Sequence, residues 1–345
     1  MQISGRGPHG ERAAQADQLV VSEPDAAVAR DRRFTVAVVL HTTTSDWARQ
    51  QLVGIVSSLG RFAASVVEVV DCQFSVAAQV SALERLTREA PDAIISIPVG
   101  NNAVAQAYRE AAQAGIKLIL LDNAPTGLLP GIDYASVISA DNFGLGEIGA
   151  RLLSPHIALG GKVGIISYKL DFFATNEREI AFRKWLGSER PDIVLRSMKF
   201  SDVGLVGAVL GGFLDANPGM VGLFAVWDAP AIEAMATLSA RSQHLPMTTV
   251  DLGNEVAISL AGGGVIKGIG AQQPYDQGKA VGLATIGTLL GRPVPPWVVL
   301  PGLPVTPENV VEAYQMVWHA AAPQNLIAAQ RSAFGRKLSR PAGPP

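Results

Sequence analysis

The chain has 345 residues, 48% of them hydrophobic and 17% charged, with a formal net charge of −2. That length and apolar content suit two α/β domains better than one small one, and the charge balance gives no support for sequence-independent nucleic-acid binding. The single cysteine, Cys72, excludes an internal disulfide and a cysteine-cluster metal site, and no apolar run reaches the length of a membrane span.

Residues 1–33 are polar, carry many charges with Gly and Pro, and contain no apolar h-region. They do not read as a secretory signal and are expected to be disordered, as is a tail over residues 326–345. Phe34 opens FTVAVVLH, a β-branched run that predicts a first strand. Ser45 then caps a helix carrying Trp47, Leu52, Ile55 and Val56, and SVVEVVD at 65–71 predicts a second strand. After Ser75, the spacing of Val76, Val80, Leu83 and Leu86 predicts a helix with one buried face. A third strand at 93–100, a helix at 102–114 and strands at 117–121 and 134–139 complete the first half.

The pattern restarts at Asn142. Helices are predicted at 142–159, 175–189, 203–217, 229–241 and 255–260, alternating with strands at 162–167, 193–200, 222–228, 247–253 and 265–272. Pro274 sits in the first turn of a helix reaching about residue 290, where proline is tolerated. A strand at 297–302 and a helix at 307–320 follow. Strands alternating with helices of this length predict an α/β fold of doubly wound parallel sheets, in two halves of similar size.

Gly144, Gly146 and Gly149 match GxGxxG, with Asp171 further on, as a dinucleotide site has it. Asp141-Asn142-Phe143 separates them from the strand, however, so the glycines fall inside the helix and are expected to serve close packing. No cofactor site is read. Phosphate-loop, hydrolase-elbow and zincin signatures are absent, and the five histidines form no ligand-spaced pair.

Ligands of open α/β sheets sit outside the carboxyl ends of the strands. His41, Ser45, Trp47, Asp122, Asn123, Trp227, Asp228, Asp251, Asn254 and Gln272 recur there. Each has a structural alternative as turn former, helix cap or core ring; for Asp228 and Asp141, capping alone suffices. Together they suit a polyhydroxylated ligand, whose hydroxyls need planar donors and acceptors and whose C–H faces stack on rings.

With VVLHTTTSDWARQQLVG, LLDNAP, VISADNFGLGEIGARLL, NEREIAFRKWL, LFAVWD, TTVDLGNE and GAQQPYDQGKA in this order, the chain from about Phe34 to Ala320 resembles the periplasmic sugar-binding proteins of ABC importers, of the ribose-binding-protein-like type I class. The resemblance implies two lobes, 34–140 with 273–301 and 141–272 with 302–325, joined by a three-segment hinge near Asp141, Gln272 and Gly302 that shuts over a sugar in the cleft. By position, Trp47 is similar to an aromatic wall, Asp122 to the hydroxyl-binding aspartate, Arg178 to the arginine of the second lobe and Gln272 to the hinge glutamine. Asn123 stands where the ribose binder has arginine and Trp227 where it has asparagine. Asp251 comes two positions before the family's aspartate, on the same strand face, and His41 and Ser45 replace a serine and an asparagine.

These departures point away from ribose, to another monosaccharide, a polyol or a cyclitol. The resemblance further implies a non-catalytic monomer that docks on ABC permease membrane subunits, in the periplasm or another extracytoplasmic space. The alternative is the effector core of a lac-repressor-type regulator, which shares the fold and would be cytoplasmic. An α/β enzyme is the third reading, with no nucleophile-and-base pair to support it.

Overall fold

The protein is described by a computed structural model that covers residue 3 and residues 5–338; the last part of the expected tail, residues 339–345, lies outside the described residues. The chain divides into two units. Unit 1 comprises Met1–Asp141, Leu170–Ala174 and Gln273–Pro301, and unit 2 comprises Asn142–Lys169, Thr175–Gln272 and Gly302–Pro345.

Unit 1 begins with β1 (Ala14–Gln15), α1 (Glu23–Arg32), β2 (Thr35–Leu40), α2 (Asp46–Gly60), β3 (Ser65–Asp71), α3 (Val76–Glu89), β4 (Ala93–Ser96), α4 (Asn102–Gln113), β5 (Lys117–Leu121) and β6 (Ser136–Ala140). Unit 2 follows with α5 (Asn142–Leu153), β7 (Lys162–Tyr168), α6 (Phe173–Glu189), β8 (Val194–Phe200), α7 (Val206–Ala216), β9 (Met220–Ala225), α8 (Asp228–Ala240), β10 (Met247–Val250), α9 (Asn254–Ala261) and β11 (Ile266–Ala271). The chain returns to unit 1 for α10 (Pro274–Leu289) and β12 (Trp297–Leu300). It ends in unit 2 with β13 (Leu303–Val305), α11 (Val310–Trp318) and α12 (Gln324–Leu338).

The sheet of unit 1 has the order β1-β12-β6-β5-β4-β2-β3, with every pairing parallel. Its two faces are legible in β2. Val36, Val38 and Leu40 join Ile55 and Leu59 of α2 and Val281 of α10 in one core, while Ala37 and Val39 join Leu83 of α3 and Tyr108 of α4 in the other. Alternation along the strand thus feeds two helical layers, which is what makes the sheet doubly wound. Helices α2 and α10 meet through glycines: a Cβ on Gly54 would collide with the Tyr275 carbonyl, and one on Gly278 with the Gln51 carbonyl.

The sheet of unit 2 runs β13-β11-β10-β9-β7-β8 and is parallel except for β13, which is antiparallel to β11. Phe182 of α6 stacks on Phe224 of β9 at 4.2 Å between centroids. The glycines of the GxGxxG string lie in α5, as the sequence predicts. A Cβ on Gly146 would strike the Arg178 carbonyl, and one on Gly149 would come within 2.6 Å of the Phe224 ring.

Three expectations are corrected. Residues 14–32, expected to be disordered, are built into unit 1. Ser22 caps α1 by accepting the Asp25 N–H, Arg33 closes the helix in the left-handed region, and Leu19, Ala26 and Ala29 are buried in the core. The charged composition describes only the exposed face of α1. Its buried face is alanine, which carries little apolar signal. Likewise α12 fills most of the expected tail, with Leu326 buried and Gln330 Nε2 donating to the Pro307 carbonyl. Finally, the run at 297–302 is cut at Pro301-Gly302, so that β12 serves one sheet and β13 the other. Proline removes the ladder donor there, and a Cβ on Gly302 would come within 2.6 Å of the Leu145 side chain. Among the described residues, no helix is long and apolar enough to cross a membrane.

Candidate functional site

Because the strands of unit 1 are parallel, their carboxyl ends share one edge, where His41 follows β2, Asp71 ends β3 and Asp122-Asn123 follow β5. His41 is set edge-on to Trp47 at 5.9 Å and to Phe74 at 4.9 Å. Burial pulls its pKa down to about 4 against the opposing charge of Asp71, so the imidazole is neutral at pH 7. Its Nδ1 and the Nε1 of Trp47 are both buried without a hydrogen-bond partner. Asp71 holds the surrounding loop: its carboxylate accepts from Thr43 Oγ1 at 2.7 Å and from the Gln73 N–H at 2.9 Å.

Asp122 sits in the left-handed region, with φ 55°, at the turn that ends β5. Its Oδ1 accepts from Ser139 Oγ at 3.0 Å, Gln277 Nε2 at 2.9 Å and the Ala140 N–H at 3.3 Å. Asn123 is buried, and its Nδ2 reaches the Gly100 carbonyl at 3.5 Å. Ser45 is exposed, and its hydroxyl caps α2 by accepting the Ala48 N–H at 3.1 Å.

The corresponding edge of unit 2 carries Gln272 after β11, Asp251 after β10, Trp227 after β9, and Tyr168 and Phe200 at the ends of β7 and β8. Arg178, on α6, is buried, with Nε donating to Asn142 Oδ1 and Nη1 donating to the Val226 carbonyl, both at 3.0 Å. It stands 3.9 Å from the Asp251 carboxylate, to whose Oδ1 Gln272 Nε2 donates at 2.6 Å. Asp228, the first residue of α8, lies against Gly253: a Cβ there would collide with its Oδ2. Burial, followed by the charge of Asp251, pushes Asp228 up to about 7. Burial also raises Asp251, against the pull of Arg178 and Gln272.

Trp227 packs edge-on to Tyr168 and tilted against Phe200, each at 5.2 Å. Tyr168 and Phe200 are register partners across β7 and β8. Asn254 is exposed and accepts from the Tyr314 hydroxyl at 2.8 Å.

In unit 1 the structure thus brings His41 and Trp47 together; in unit 2 it brings together Arg178, Asp251 and Gln272, with Asp228 beside them, while Trp227 packs with Tyr168 and Phe200. Ser45 and Asn254 are engaged in local structure. Phe74, Tyr168 and Phe200, which pack against His41 and Trp227, were not singled out in the sequence, because an apolar ring at a strand end has the same pattern as a core ring. Among the described residues, no cluster of three or more His, Cys, Asp or Glu side chains forms a metal site.

The profile of the periplasmic binding protein domain family matches residues 36–287. The ribose import binding protein of Bacillus subtilis is 23% identical over 265 residues, covering 76% of this chain and 84% of that protein. The fold is similar to that of an ABC transporter solute-binding protein from Agrobacterium vitis bound with α-D-tagatopyranose, with a TM-score of 0.76 and 23% identity over 84% of this chain and 100% of the other. It is also similar to a carbohydrate transporter solute-binding protein from Agrobacterium radiobacter in complex with D-arabinose, with a TM-score of 0.75 and 21% identity over 83% and 99% of the two chains.

Proposed function

Since this chain belongs to the periplasmic binding protein family, we propose that it is the extracytoplasmic solute receptor of an ABC importer, that its solute is a monosaccharide, polyol or cyclitol, and that it delivers the solute to the permease subunits in the membrane. His41, Trp47, Asp122 and Asn123 in unit 1 and Arg178, Trp227, Asp251 and Gln272 in unit 2 are the side chains assigned to solute contact.

The observation that carries this reading is a set of buried polar atoms without protein partners at the carboxyl edges of both sheets: His41 Nδ1, Trp47 Nε1 and Gln272 Oε1. Buried polar groups are ordinarily hydrogen-bonded, and leaving one unsatisfied costs about 1–3 kcal/mol. A solute rich in hydroxyls supplies both a donor for the imidazole and amide acceptors and an acceptor for the indole N–H. The rings around these atoms suit the C–H faces of a sugar.

A thermal-shift panel of pentoses, hexoses, polyols and cyclitols, with intrinsic tryptophan fluorescence as a second readout, tests the reading. A solute that binds only the folded protein, at about 100 times its dissociation constant, adds roughly 2.7 kcal/mol of stability. One clear hit supports the receptor. Silence across the panel counts against the proposed solute class.

A further inference from the structure

The carboxyl edge of the second sheet is short of donors and of positive charge. Gln272 is only 4% exposed; its Nε2 is given to Asp251, while its Oε1 is buried with no partner. Asp228 is turned against Gly253, two residues beyond Asp251, where only the missing Cβ admits its carboxyl group. The buried cation beside these acids is Arg178, whose Nε and Nη1 are directed to Asn142 and the Val226 carbonyl, whereas Lys169, which follows β7, is exposed. Two carboxyl groups beside one guanidinium leave a negative charge in excess whenever both are ionised; burial first, and then the charge of Asp251, raises the pKa of Asp228.

Solute groups differ in how well they meet this need. A hydroxyl donates one hydrogen bond and brings no charge. An ammonium donates three and cancels the excess, and hydrogen bonds between charged partners are roughly twice as strong as neutral ones.

We infer that the solute carries a primary amine held by Asp228, Asp251 and Gln272, and is therefore an amino sugar, amino polyol or amino cyclitol. This rests on the receptor reading above and narrows its substrate class.

Calorimetric titration with matched pairs tests it: galactosamine against galactose, glucosamine against glucose, mannosamine against mannose, and glucamine against glucitol. At least one amine is expected to bind tighter than its parent by roughly tenfold or more, the weight of one charge-assisted hydrogen bond. Asp251→Asn and Asp228→Asn, each near-isosteric and each checked for folding by its melting curve, are expected to bring that pair to within about twofold, as the ionic contribution is lost. If parent sugars bind as tightly as their amines in every pair, the inference falls and the receptor reading stands. A gap that survives in both variants also overturns it, because the amine is then held elsewhere. If no member of any pair binds, the amine inference falls, and the receptor reading is decided by the wider panel of pentoses, hexoses, polyols and cyclitols.

Discussion

Gln277 of α10 donates its side-chain N–H to Asp122 Oδ1 at 2.9 Å, and the same oxygen takes the Ser139 hydroxyl and the Ala140 N–H. Asp122 is therefore an anchor of its own unit as well as a candidate solute ligand. Asp122→Ala removes the acceptor these donors share, leaving Ser139 Oγ the Ala140 carbonyl and Gln277 Nε2 the Ile138 carbonyl, and is expected to lower unfolding stability by about 1–3 kcal/mol, besides weakening solute binding. Asp122→Asn keeps an acceptor oxygen and is expected to lose less stability. Denaturant unfolding of the two variants separates the effects. Equal stabilities for Asp122→Ala and the parent protein would show that the network carries no weight.

His41 makes stability depend on pH. Its folded pKa of about 4 lies below the unfolded value of 6.5, so between these values the unfolded chain binds the extra proton. The contribution of the buried neutral ring is complete above pH 6.5, is lost as pH falls towards 4, and changes no further below that. The full loss is on the order of 3 kcal/mol. His41→Phe is expected to remove this component, so the difference in unfolding free energy between variant and parent should change across that window. A constant difference from pH 7 down to about pH 4 would count against a buried neutral His41.

Much of this was legible in the chain because β-branched runs and helical spacing are local signals. The carboxyl-end rule then located His41, Asp122, Asp251 and Gln272 from strand boundaries alone. It also selected Ser45, whose hydroxyl caps α2, and Asn254, which accepts from Tyr314, because a polar residue at a helix start looks the same in sequence whatever its partner. Gln277 was hidden for a different reason. It lies inside a helix, and its partner Asp122 is 155 residues away in the chain. Phe74, Tyr168 and Phe200 were hidden by their apolarity. The alanines of α1 were hidden by their smallness, since Ala26 and Ala29 are buried without giving the helix an apolar stripe.

Alanine substitutions of opposite sign are expected at two helical glycines, one open in α6 and one at the crossing of α2 over α10. In an open helix position, Gly→Ala gains up to about 1 kcal/mol from helix propensity. A methyl group added at Gly187, in α6, would meet nothing outside its own helix within 4 Å, so Gly187→Ala is expected to stabilise. At Gly278 the same methyl group meets the backbone of Gln51 and comes to 2.8 Å from the Ile55 nitrogen. Backbone cannot swing aside as a side chain can, so the clash outweighs propensity, and Gly278→Ala is expected to cost roughly 1–3 kcal/mol. Paired thermal melts decide it; a Gly278→Ala variant that melts at or above the parent temperature would mean that the helices can part without loss.

The N-terminal segment is tied to unit 1 at three places. Residues Ala14 and Gln15 pair with Val298 and Val299 of β12, Asp25 forms an ion pair with Arg292 at 2.6 Å, and Ala29 is fully buried. The exposed ion pair carries little by itself, so the buried face of α1 must supply most of the attachment. Ala29→Asp places an unpaired carboxyl group in that face and is expected to detach the segment locally, since burying an unpartnered polar group costs about 1–3 kcal/mol or more on the protein scale. Hydrogen exchange is the measurement that shows it. Amides of α1, β1 and the adjoining β12 should exchange roughly 10–100 times faster, while those of β4 and β5 remain as protected as in the parent chain. Uniform acceleration across the whole sheet would instead make the segment part of the cooperative core of unit 1, and unchanged exchange in α1 would mean that Ala29 does not anchor it.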